Sequence, residues 1–454
     1  MTTHNATLKP TDPKAAVPVL LFSFVFCLIV DNGFKTMTGP MAEGLGIDPN
    51  TASLQASLAG VIIGIGAVVY AALADAISIR KLMLIGIGLV IVGSVIGFVF
   101  SGSWTLVLAG RLIQTGGLAA AETLYVIYVT KHLAAEDQKT YLGFSTAAFQ
   151  SGLLVGALTS GAISTYIGWR VMFLVPLILI VAVPFILKTV PEEEASSSHL
   201  DVVGLFLIAI FATSVIQYMQ AFKLFWLAFM LVSIVIFVWY VRNAKNPVVN
   251  PEFFKNGRYV WAILLVLIVY STQLGYIVLL PFAAKEFHGL DQAQASYLMI
   301  PGYICAVLIG IFSGKIGKLM TSRRTIFTAL GMIIVALVVG ALAIQVHVAV
   351  AIASIILFAS GFALLYAPLV NTALANILPE KSGVAIGFYN LTINIGVPLG
   401  IAYTFKLMNL NIGTNAVIWI LAAIAVVGAV MYFIADRALF SREKAAGIDS
   451  VANH

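Results

Sequence analysis

The chain has 454 residues, 61% of them hydrophobic and only 10% charged, with a formal net charge of +6 at pH 7. Soluble domains are about 45–50% apolar, so this composition and a mean hydropathy of +1.03 exclude a water-soluble globule. A basic balance in a soluble protein would point to nucleic acid, but here the basic residues fall in short loops between apolar runs, where they set orientation across a membrane.

Residues 1–14 are polar and carry no cleavable leader pattern, so the first apolar run is expected to remain as the first span. Crossing about 30 Å of hydrocarbon takes about 20 residues. Runs of that kind fall at 16–40, 53–76, 81–101, 104–131, 140–165, 169–189, 201–219 and 222–242. Six more follow at 259–284, 293–317, 323–344, 347–374, 382–408 and 414–437. The sum is an all-α polytopic membrane protein of fourteen spans. Between the seventh and eighth, Tyr218-Met-Gln-Ala-Phe-Lys223 is the only break, so two spans and one bent segment both stay open there. With both termini cytoplasmic, nineteen of the lysines and arginines lie inside and only Arg170, Lys223 and Lys285 outside, the bias expected of cytoplasmic loops. Cys27 and Cys305 sit within apolar runs and read as small core residues.

Two halves match at an offset of about 240 residues. Ala71 to Lys81 pairs with Gly310 to Lys318, and Gly152/Gly156 with Gly396/Gly400. Repeated bundles around a central cavity are a common architecture of secondary transporters. The expected organisation is an N-terminal segment 1–15, a six-helix bundle 16–190, a linker with two extra helices 191–242, a loop 243–258, a second bundle 259–437 and a tail 438–454.

Ionisable groups inside a span cost about 2.5–3.5 kcal/mol on insertion scales and mark function. Asp31 and Arg111 each lie about seven residues from the same end of their spans, about 10 Å deep at 1.5 Å per residue, so they could pair. Lys35, one turn from Asp31, is a competing partner. The pair reads either as a coupling network that exchanges partners or as a permanent salt bridge. Glu122 stands eleven residues beyond Arg111 on nearly the same helix face with no base near it in sequence. It reads as a proton carrier and an attraction point for a cationic ligand, or else as a carboxyl hydrogen-bonded to a neighbouring helix and always neutral. The second half has no membrane acid, only aromatic and amide groups; Gln273, Tyr389, Asn390 and Asn394 rank first as ligand contacts. No P-loop, H-E-x-x-H, Cys/His cluster or G-x-S-x-G elbow appears, which leaves ATP-driven transport and intramembrane enzymology without support.

These residues resemble the major facilitator superfamily, and within it the fourteen-helix drug:proton antiporters. Ala71 to Lys81 is similar to the signature G-x-L-x-D-x-x-G-x-[RK]-[RK], with Leu73, Asp75, Arg80 and Lys81 in place and Ala71 and Ser78 where glycine is usual. Arg111-Leu-Ile-Gln114-Thr-Gly116-Gly117 resembles the R-x-x-Q-G-x-G pattern, and Val30-Asp31 with Pro40 the first-helix motif. The fifth-span motif G-x-x-x-G-P-x-x-G-G runs from Gly152 to Gly161, with Ala157 for proline and Ser160 for glycine. Ile62 to Tyr70, Ala121 to Tyr128 and Tyr141 to Ser145 are similar to Gram-positive chromosomal tetracycline efflux proteins, although 140–165 and 382–408 lack the carboxylates of the better-known fourteen-helix tetracycline pumps.

The resemblance implies two six-helix bundles plus two inserted helices, and proton-coupled efflux of tetracycline-like or other amphipathic drugs. It implies coupling through Asp31, Arg111 and Glu122, and gating through Asp75, Arg80, Lys81, Gly152 and Gly156. A drug, protons and the lipid bilayer are the expected partners, with no cofactor, no metal, no nucleic acid and a monomeric state. A metabolite or organic-ion carrier, and a non-transporting receptor or scaffold, are the alternatives.

Overall fold

The computed structural model describes residues 13–74, 77–133, 135–192, 201–244, 247, 255–375, 377 and 379–445. Among them all regular structure is helical, and fourteen helices are long and apolar enough to cross a membrane. They are α1 (Val17–Thr36), α2 (Leu54–Leu73), α3 (Ile79–Val99), α4 (Trp104–His132), α5 (Ala135–Tyr166), α6 (Trp169–Thr189) and α7 (Val202–Ala221). The rest are α8 (Leu224–Asn243), α9 (Gly257–His288), α10 (Ile300–Leu319), α11 (Ser322–Ala343), α12 (Val348–Leu374), α13 (Pro379–Asn409) and α14 (Thr414–Ala445). The protein is a multi-pass membrane protein. An even number of spans returns α14 to the face where α1 begins, here called the termini face; the other is the far face.

Local chemistry sets the ends. Phe222 adopts a left-handed φ of 49° and stops α7, and Lys223 is extended at the start of α8, so the ambiguous stretch is two helices. Asp201 ties this hairpin: its Oδ1 accepts from Gly204 N at 2.8 Å, capping α7, and from the Tyr240 hydroxyl of α8 at 2.6 Å. The last helix continues past the expected end at 437 to Ala445, which keeps Asp436 and Glu443 on its face.

Two cores form. One joins α1, α3, α4 and α6 through Leu20, Phe34, Leu82, Leu124, Phe173 and Ile186. The other joins α9 to α14 through Val266, Ala306, Ile333, Phe358, Ile401 and Leu421. Lipid offers no hydrophobic drive between helices, so close approach through small residues does more of the work. On α5, a Cβ at Gly152 would stand 2.6 Å from Leu28 Cβ, and one at Gly156 would stand 2.8 Å from Gly33 N, so α5 lies backbone to backbone on α1. Gly396 and Gly400 lay α13 on α9 in the same way, against Leu267 and Ser271.

Helix caps fix the register of the repeat. Ser78 Oγ accepts from Lys81 N at 3.4 Å at the start of α3, and Thr321 Oγ1 accepts from Arg324 N at 3.4 Å at the start of α11. Arg80 thus corresponds to Arg323, 243 residues on. This corrects the sequence pairing of Ala71–Lys81 with Gly310–Lys318: the caps, not the first basic charges, mark where the helices begin.

The halves meet along two seams. At one, α2 faces α13, with Gly60 against the Pro398 ring and Gly64 against Leu391 and Asn394. At the other, α5 faces α10, and Leu153 and Ala157 join the core of the second half. Helix α7 lies across the first seam, where Ala212 and Ile216 pack with Val61 of α2 and Ala402 of α13. Helix α8 leans on α7 and leaves Leu224, Val235 and Trp239 exposed.

Candidate functional site

One carboxylate organises the first half. Asp31 Oδ1 accepts from Arg111 Nη2 at 2.7 Å, while Oδ2 pairs with the Lys35 ammonium one turn along α1. The two partners that competed in the sequence are therefore bound together, one to each oxygen. All three are buried, with Asp31 at 2%, Arg111 at 0% and Lys35 at 7% exposure. Arg111 is held further by Gln114 Oε1 at 3.0 Å, Thr115 Oγ1 at 2.7 Å, Gln55 Oε1 at 3.4 Å and the Phe34 ring, whose centroid is 4.6 Å from its guanidinium carbon. Gln55 donates in turn to Phe34 O at 2.6 Å, and Gln114 to Ser94 Oγ at 3.0 Å. Four helices, α1 to α4, are tied to one guanidinium.

Glu122 stands apart from this cluster. Three turns along α4 toward the termini face, it makes no ion pair among the described residues, and its Oε1 is buried without a hydrogen-bond partner. It remains within electrostatic reach of Asp31, Lys35 and Arg111. Against one anion and two cations, an ionised Glu122 balances the set.

The expected gating residues divide. Asp75 lies outside the described residues. Arg80 Nε donates to Val190 O at 2.6 Å, its Nη1 lies 3.5 Å from Glu192, and Lys81 Nζ lies 3.0 Å from the same carboxylate, so the start of α3 is tied to the chain just past α6. The Lys81 ammonium hydrogen-bonds Glu192 and holds its carboxyl below the usual range, with Arg80 adding to the effect. Gly152 and Gly156 face α1 of their own half, not the seam between halves. Ser160, a departure from the family motif, uses its hydroxyl to bond Thr36 Oγ1 of α1 at 2.5 Å.

In the second half, the Tyr270 and Tyr389 hydroxyls and Gln273 Oε1 are buried without a hydrogen-bond partner. Asn390 Oδ1 accepts from Tyr366 at 3.5 Å, and Asn394 Nδ2 donates to Asn390 O at 3.0 Å. Asn394 packs on Gly64 at the α2–α13 seam, whereas Tyr389 turns toward α9 and α12, so the two do not share one face.

A cluster absent from the sequence reading lies at the termini face of this half. Arg258 pairs with Glu443 through Nη2 at 2.8 Å and Nε at 2.8 Å, and with Asp436 Oδ1 at 2.5 Å, and Arg323 Nε reaches Asp436 Oδ2 at 2.6 Å. The one available signal was that a helical continuation past 437 would place Asp436 and Glu443 two turns apart on one face.

Two helical bundles that cross the membrane, each with charged side chains buried in it, have the architecture of a membrane transporter rather than of an enzyme. Residues 20–401 match the family model described as Major Facilitator Superfamily, and the chain belongs to that family. It is 27% identical over 445 residues to Quinolone resistance protein NorB of Staphylococcus aureus (strain COL), covering 92% of this chain and 94% of that protein. The same-named protein of strain bovine RF122 / ET3-1 is 27% identical over 431 residues, covering 89% of each chain. The crystal structure of the POT family transporter PepTSo matches with a TM-score of 0.71 at 14% identity, over 94% of this chain and 99% of that one. The human organic anion transporter MFSD10 matches with a TM-score of 0.65 at 14% identity, over 94% and 100%. At such identity these structures show the fold alone.

Proposed function

We propose that the chain is a proton-coupled exporter of amphipathic drugs, tetracyclines and quinolones among them, working by alternating access between its two bundles as a monomer in a bacterial cytoplasmic membrane. The positive-inside bias makes the termini face cytoplasmic and the far face external. The observation that carries the reading is the Glu122 carboxylate, the buried acid left without a partner in a half whose other membrane charges are paired. A proton and a cationic drug satisfy the same oxygen, so each displaces the other, and a proton arriving from outside releases the drug there. Asp31 and Arg111 serve as the charged network that feels this exchange. Gln273, Tyr389, Asn390 and Asn394 of the second half supply polar and aromatic contacts to an uncharged part of the cargo. Names of relatives at 27% identity support drug efflux as the cargo class.

The test is pH-gradient-driven uptake of tetracycline and of a fluoroquinolone into inside-out vesicles. Wild-type protein is expected to accumulate at least one, and collapse of the gradient to abolish it. Glu122→Gln is expected to lose gradient-driven uptake entirely; an unchanged pH dependence would remove Glu122 from the mechanism.

A further inference from the structure

Between the halves at the far face lies a cavity whose walls are chemically unequal. The first half contributes Lys35, Thr36 and Thr38, and the second presents Pro281, Phe282 and Phe405. Lys35 lines the cavity, and its ammonium pairs with Asp31 Oδ2. Of the buried cluster, Lys35 lines this cavity, whereas Asp31 and Arg111 do not.

The two cations on Asp31 differ in freedom. Arg111 is fully buried and held by Asp31, Gln55, Gln114, Thr115 and the Phe34 ring, so it leaves only by giving up all of them. Lys35 has Asp31 as its ion-pair partner and carries its charge on a flexible four-carbon stem at the cavity wall. Parting of the halves would admit water to the cavity, and hydration would replace the carboxylate oxygen at the ammonium. The charged groups facing Lys35 are Asp31 on its own helix and, beyond it, Arg111 and Glu122 of α4. Helices α9 and α13 bring only apolar side chains to the cavity.

We propose that Lys35 is the outer gate of the coupling site, a positioning residue that covers Asp31 while the halves are closed and bares it to the outside when they part. The inference rests on the proton-coupled reading above and adds a control point to it. Withdrawal of Lys35 leaves the Arg111 contact in place, so the gate moves without dismantling the four-helix network.

The test uses the full-length protein in proteoliposomes carrying an internal pH dye, with an acid jump outside and no drug present. Lys35→Met is expected to raise proton influx several-fold over wild type, and Lys35→Arg to keep it at the wild-type rate. Equal influx for Lys35→Met and wild type would overturn the gate. Should Lys35→Met fold poorly, Lys35→Cys in a Cys27→Ser, Cys305→Ser background replaces it. Trimethylammonium-ethyl methanethiosulfonate added outside is expected to label this cysteine and restore tightness, whereas absence of labelling would overturn the proposal. The leak assay needs no drug, so a wild-type protein that failed to accumulate drug would remove the exporter reading while the gate was still judged by its own result.

Discussion

The two halves share a helix arrangement and divide their charges differently. In the first, Asp31, Lys35, Arg111 and Glu122 lie within the membrane-spanning helices, and among the described residues the ties at the termini face include the exposed contact of Arg80 and Lys81 with Glu192. In the second, charge is concentrated at the termini face, where Arg258, Arg323, Asp436 and Glu443 form a largely buried cluster joining α9, α11 and α14. Arg80 to Glu192 and Arg323 to Asp436 are equivalent ties by register, one loose and one tight. The difference teaches that the same helix arrangement can carry its charge among the spans in one bundle and at the helix ends in the other, where it braces three helices together.

Charge deletion should break this contrast most strongly. Asp31→Asn leaves Arg111 and Lys35 buried without their anion and is expected to cost about 3–5 kcal/mol, together with loss of gradient-driven transport. Thermal unfolding in detergent reads the first and vesicle uptake the second, and adding Lys35→Met should recover part of the stability. Arg258→Met removes the guanidinium that Asp436 and Glu443 share and is expected to cost about 3 kcal/mol. The protein that survives should keep the wild-type pH dependence of uptake; a shifted profile would erase the distinction between the halves.

Packing provides the next contrast. Gly156 and Gly400 meet backbone atoms of α1 and α9, so Ala at either is expected to cost about 1–3 kcal/mol by overpacking. At Gly331 of α11 no atom lies within 4 Å of an added Cβ, and Gly331→Ala should be neutral or stabilising by up to about 1 kcal/mol in the same unfolding assay. Equal losses at all three positions would show that helix propensity, not close approach, governs these glycines.

The smallest effect belongs to the exposed tie. Lys81 lowers the Glu192 carboxyl below its unfolded value, so the contact contributes above the ordinary carboxylate range near about 4.3 and is lost as pH falls through the lowered value. Spin labels at the start of α3 and the end of α6 should show a distance that broadens on acidification or in about 1 M salt, where the Debye length is about 3 Å. A distribution indifferent to both would mean that Arg80 on the Val190 carbonyl alone holds the ends together.

Much of this was legible in the chain. Fourteen apolar runs gave fourteen helices because length and hydropathy are local properties. The pairing of Asp31 with Arg111 followed from equal depth on neighbouring spans. Sequence spacing made Lys35 a competitor, since only coordinates show one oxygen available to each cation. Gln55 was one polar residue among several at the start of an apolar run, between Ser53 and Ser57, and its place beside Arg111 depends on how α2 packs. The Arg258 cluster was hidden because its acids come 178 and 185 residues later. Gly152 and Gly156 are expected gating residues through a motif, and their environment is the packing of α5 on α1. Helix spacing could not tell that face from the one turned to α10.

Helix α7 carries one more consequence. Because Ala212 and Ile216 touch α2 and α13 together, it spans the joint about which the halves would rock. A brace glued to both sides of a joint must slip on one of them whenever the joint bends. The smooth aliphatic contact there, without a hydrogen bond or ion pair recorded between these side chains, suits slippage better than adhesion. The inserted pair would then ride with one bundle as a sliding flank that keeps lipid out of the moving cleft.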